Sequence, residues 1–122
     1  MHAAPKSPAP PDTEPWWDAV RVPRQLGLTA MDILGVRAGA IVEDPQRHSV
    51  YYFIPAGTAA TWDVQDTEAL TDSVGVPLPP TRRTDGPGPH WRVCPGEDGW
   101  VTDPGALRAA LADALLRKDA VA

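Results

Sequence analysis

Residues 39–54 read GAIVEDPQRHSVYYFI. Two runs of branched and aromatic residues, 39–44 and 49–54, flank Pro45, Gln46, Arg47 and His48, and that arrangement predicts a β-hairpin. Glu43 and Asp44 fall at its turn. The second run is apolar without alternation from Val50 to Ile54, so both of its faces are expected to be covered, which places it centrally in a sheet.

Working towards the amino terminus, 16–22 (WWDAVRV) reads as a strand in which Trp16 and Trp17 point to opposite faces. Pro23 suits the first turn of a helix over 23–34, where Leu26, Met31, Ile33 and Leu34 give an apolar side and Gly35 is the stop. Towards the carboxyl terminus, Thr58 is a candidate cap for a short helical turn reaching Trp62. Short strands are expected at 68–70 and 73–78, the second demoted to an edge or bulge by Pro77. The polar stretch 81–89 (TRRTDGPGP) is a surface loop, and 90–94 (HWRVC) resumes a strand. Asp103 with Pro104 opens a final helix whose Leu107, Leu111, Ala114 and Leu115 form one stripe. The order predicts one α+β domain over 16–122, a small and mostly antiparallel sheet with two or three helices. Residues 1–15 hold five prolines and no aromatic or branched aliphatic residue, so a disordered, proline-rich tail is expected there.

Composition narrows the function classes. With 122 residues there is room for one modest core. The net charge of −5 gives no global field to attract nucleic acid, so a nucleic-acid or nucleotide partner is disfavoured and another protein is the expected partner. A single cysteine, Cys94, excludes an intrachain disulfide, and with no apolar run of signal-peptide or membrane-spanning length the expectation is a cytoplasmic protein without a membrane partner.

Four segments carry a resemblance: the strand with Asp18 and Val22, then 49–55 (SVYYFIP) followed by Gly57, then 76–81 (VPLPPT), then 86–91 (GPGPHW). Together they resemble the carboxyl-terminal half of the bifunctional DNA primase/polymerase amino-terminal domain, closest to small actinobacterial stand-alone relatives. The resemblance implies a primase/polymerase-like half fold and two-metal nucleotidyl transfer, which needs converging carboxylates. The chain departs from that pattern. The acid-x-acid pair of the family's first strand falls on Arg21 and Pro23, its histidine falls on Val50 with His48 two residues away, and only the last acid, Glu68, is matched. The resemblance therefore implies a degenerate member, a non-catalytic interaction or regulatory module with no cofactor and no resident metal.

The residue chemistry agrees with that expectation. His90 and Cys94 on one strand would lie about 13 Å apart, too far to chelate together, and Cys94 reads as a small buried thiol. Asp63, Asp66, Glu68 and Asp72 lack the spacing of a calcium loop and read as a solvated acidic stretch. Arg82 and Arg83, joined by His90 and Arg92, form the one local basic cluster, and Trp91 beside them offers a stacking surface. These five residues are the candidate binding site, and they give the alternative function: a nucleotide or single-stranded nucleic-acid binding protein. Trp62 and Trp91 are expected in the core.

Overall fold

The computed structural model describes residues 17–71, 76–80, 82–95 and 100–121, with side chains as far as Lys118. The proline-rich tail expected at 1–15, the place of Trp16 and the first part of the strand expected at 73–78 lie outside the described residues.

Among them the chain forms β1 (Trp17–Pro23), α1 (Arg24–Leu34), β2 (Ile41–Asp44), β3 (Ser49–Pro55), β4 (Glu68–Leu70), β5 (His90–Val93) and α2 (Pro104–Val121). The sheet order is β4-β1-β3-β2-β5, with every neighbouring pair antiparallel. This is the α+β domain that the sequence predicts. The hairpin pairs Ile41 with Tyr52 and Asp44 with Ser49, and β3 lies at the centre.

Alternation along β3 divides the core into two layers. Val50, Tyr52 and Ile54 face α1 and α2 with Val20, Val22 and Ile41, and there meet Leu26, Ala30, Leu107 and Leu111. Tyr51 and Phe53 face the other way with Trp17, Ala19, Val42 and Trp91, joined by Val76 and Trp100. Both faces of the sheet are thus covered. Gly27 allows α1 to lie close on β3, since a Cβ there would stand 2.9 Å from Val50 Cβ. Gly39 does the same for residues 100–102, because a Cβ would meet the Trp100 carbonyl oxygen at 2.5 Å. That segment bonds both to the residue before β2 and to β3: Ala40 N donates to Trp100 O at 2.9 Å and Thr102 N to Phe53 O at 2.8 Å.

α2 begins as the residues predict. The Asp103 carboxylate accepts from Ala106 N at 2.9 Å, satisfying one open amide of the first turn. Leu107, Leu111 and Ala114 are buried along it.

Several expectations are corrected. Pro23 ends β1 and precedes α1 instead of occupying its first turn, with φ −52° and ψ 142°, because Arg24 N still donates to His48 O and prolongs the strand contact. The cap of the turn at Thr58–Thr61 is not Thr58; Asp18 reaches across and its Oδ2 accepts from Gly57 N and Ala59 N, both at 2.9 Å. Residues 76–80 form no strand; Pro77, Pro79 and Pro80 lack the N–H that a ladder needs. Trp62 is half-buried rather than inside, its indole donating to Thr67 Oγ1 at 2.8 Å under the Arg108 guanidinium. Cys94 is exposed, since β5 ends at Val93 before it. Glu43 and Asp44 stand in β2 and are buried.

Candidate functional site

The five residues singled out by the sequence, Arg82, Arg83, His90, Trp91 and Arg92, do not form one cluster. The sheet divides them. His90 and Arg92 join a hub around Glu43, Trp91 enters the aromatic layer on the opposite face, and Arg82 and Arg83 lie on the loop outside that layer.

The hub arises from register. His90 is paired with Glu43, and the β2–β5 ladder is irregular between Ile41 and Val42, where Trp91 pairs with Val42 and Val93 with Ile41. Arg92 is the extra residue of this bulge, an arrangement that re-aims a side chain. Glu43 is 3% exposed. Its Oε2 accepts from Arg24 Nε at the start of α1, while His90 Nε2 and Arg92 Nη1 stand 3.4 and 3.5 Å from Oε1. His90 Nδ1 lies 2.9 Å from Gly88 O, an acceptor, so this nitrogen carries the hydrogen. Burial alone would raise the Glu43 carboxyl, but the hydrogen bond and charge of Arg24, with Arg92 and His90, outweigh it and hold the carboxyl below its ordinary range. The hub ties β2, β5 and α1 together.

A second ion pair links Arg21 to Glu68, directly opposite each other on β1 and β4. Glu68 therefore has a guanidinium as its counter-ion. The groove beside them, about 550 Å³, is polar; its Arg47 lies 3.8 Å from Asp44 and its Asp66 lies 3.9 Å from Lys118.

On the other face, Trp17, Phe53, Trp91 and Trp100 pack as one aromatic group. Trp17 and Trp100 stack at 5.5 Å and 11°, and Trp91 meets Trp100 edge-on at 5.6 Å and 82°. Trp91 is 3% exposed and its indole donates to Pro80 O at 3.1 Å, so its ring is an internal wall and not an open stacking platform. Next to it opens a cleft of about 590 Å³ with apolar walls from Leu78, Pro79, Pro95, Trp91 and Trp100, and with Arg82 and Cys94 on its lining.

A tight turn presents Arg82. Pro80 O accepts from both Arg83 N, at 3.0 Å, and the Trp91 indole, and Trp91 N donates to Arg83 O at 2.7 Å. Between these anchors Arg82 adopts φ 69°, in the left-handed region. Its guanidinium has no hydrogen-bond or ion-pair partner among the described residues. Arg83 differs, its Nε donating to Asp85 O at 3.4 Å.

Glu43, Arg24 and Trp100 escaped the sequence reading. One signal for Glu43 was present: it shares strand parity with Ile41, which puts both on the helix-covered face. Among the described residues no group of three or more His, Cys, Asp or Glu is placed to hold a metal ion, and no helix is long and apolar enough to cross a membrane. No family model matches the chain, and neither a curated protein nor a solved structure matches it.

Proposed function

We propose that this domain is a non-catalytic interaction or regulatory module on a degenerate primase/polymerase-like half fold, with another protein as its partner. The Arg21–Glu68 ion pair carries the reading. In-line nucleotidyl transfer needs metals held about 4 Å apart by several converging carboxylates. Here the acid that the resemblance retains faces a guanidinium across the ladder. A partner surface is supported by the edge around residues 78–83, where Leu78 is 38% exposed beside the cleft and Arg82 and Arg83 are both exposed.

Two measurements test this. A primer-extension assay with magnesium or manganese is expected to give no product above a no-protein control; product that disappears in Glu68→Ala would restore the polymerase reading. A pull-down with the parent and with Leu78→Asp is expected to yield a protein that the parent retains and the variant loses. The exposed Arg82 and Arg83 favour the second reading, nucleotide or single-strand binding. Tryptophan quenching by oligothymidylate that is reversed by salt would select it over the protein-partner reading.

A further inference from the structure

We propose that the cleft beneath the 80–83 turn is a binding site for a small carboxylic acid with an aromatic or branched apolar body. This goes beyond the protein-partner reading and does not depend on it. The cleft measures about 590 Å³, within the roughly 300–1,000 Å³ that small-ligand sites occupy. Its walls are proline, leucine and tryptophan, which favour an apolar body.

Charge selects the rest of the ligand. Around the polar groove, Arg21 is paired with Glu68 and Arg47 lies near Asp44. Around a further groove of about 460 Å³ between the two helices, Arg117 meets Asp113 and Lys118 lies near Asp66. Arg82 alone among these lining guanidinium groups is left uncompensated among the described residues, and it shares its cleft with the apolar side chains of Leu78, Pro79, Trp91 and Trp100. An apolar group that carries a negative charge answers both features.

A guanidinium takes a planar carboxylate in a two-point fork. One such group suits a single negative charge, whereas a triphosphate calls for several cations. The presentation of Arg82 is built rather than incidental. Of the three non-glycine residues at positive φ among the described residues, two are His48 and Asp66, types that enter the left-handed region readily. Arginine has no such preference. Its conformation is held by the bond from Arg83 N to Pro80 O that closes the turn and by the two bonds that tie Pro80 and Arg83 to Trp91.

The test uses the full chain and a pair of probes that differ only in charge, N-acetyl-L-phenylalanine and its amide. Binding is followed on the Trp100 indole N–H signal by NMR. The acid is expected to bind at least about fivefold more tightly than the amide, and Arg82→Gln to abolish that preference. Arg82→Lys should retain part of it. Cys94 gives a second readout: the chain has one thiol, it lines the cleft, and the bound acid should slow its alkylation by iodoacetamide in the parent but not in Arg82→Gln. The proposal is overturned by equal binding of acid and amide, by a preference that survives Arg82→Gln, by an acid that leaves Cys94 unprotected, or by no shift with the acid at all. None of these results alters the pull-down outcome on which the protein-partner reading depends.

Discussion

Tyr51 and Tyr52 are neighbours in β3, both fully buried, and among the described residues only one of their hydroxyl groups has a hydrogen-bond partner. Tyr52 points to the helix layer and donates to Gly27 O at 2.6 Å. Tyr51 points to the aromatic layer, where its hydroxyl is buried and meets no hydrogen-bond partner among the described residues. Burial, with the charge of Asp32 adding to it, pushes the Tyr52 hydroxyl well above its ordinary pKa, so it stays a neutral donor.

The pair predicts opposite responses to the same substitution. Tyr52→Phe removes a satisfied buried bond and strands the Gly27 carbonyl, which should cost about 1–3 kcal/mol. Tyr51→Phe removes only an unsatisfied group and should be neutral or stabilising by up to about 1 kcal/mol. Urea denaturation of both variants decides it, and a larger loss for Tyr51→Phe would contradict the two environments.

Gly27 lies inside α1, where alanine would ordinarily stabilise by about 1 kcal/mol. Here the added methyl would stand 2.9 Å from Val50 Cβ, so Gly27→Ala should instead destabilise, by about 1–3 kcal/mol of overpacking. Adding Val50→Ala should recover part of the loss, because the two substitutions act on one contact. Strict additivity in the double variant would mean that helix and strand do not meet there.

The Glu43 hub should show in the acid limb of stability. Its carboxyl is held below the ordinary value of 4.5 in the folded chain, so the folded state favours the ionised form. That contribution is complete above the ordinary value and is lost as pH falls through the depressed folded one. Glu43→Gln should cost about 1–3 kcal/mol at neutral pH, a range reduced for solvent screening because Arg24 and Arg92 are 43% and 37% exposed. Below pH 4.5, the variant should lose stability less steeply than the parent. Parallel acid limbs would remove Glu43 as their cause.

Within α2 the core contact should outweigh the cap. Leu111→Ala is expected to cost about 2–5 kcal/mol, since Leu111 is fully buried between the helix and the sheet. Asp103→Ala, which loses the bond to Ala106 N, should cost about 0.5–2 kcal/mol. Thermal unfolding of the two variants gives the ranking, and the reverse order would mean that α2 is held mainly at its first turn.

Elements whose causes are local are legible in the chain alone. The 39–54 hairpin follows from two β-forming runs on either side of a four-residue turn, and α2 from Asp103, Pro104 and a stripe at helical spacing. The central place of β3 follows from its having no polar face. Tertiary structure decided what depends on which strands become neighbours. Glu43 read as a turn residue because nothing in its own segment shows that β5 pairs beside β2 and sets His90 and Arg92 next to its carboxylate. The five candidate residues are close in sequence, yet strand alternation sends Trp91 to one face and His90 with Arg92 to the other. Arg82 gained its place through the bonds of Pro80 and Arg83 to Trp91, and Trp100 through contacts with Trp17 and Phe53, residues far away along the chain. A shift of one residue in register exchanges the two faces of a strand, so side-chain constellations are fixed by long-range pairing, while helices, turns and strands are largely fixed by their neighbours.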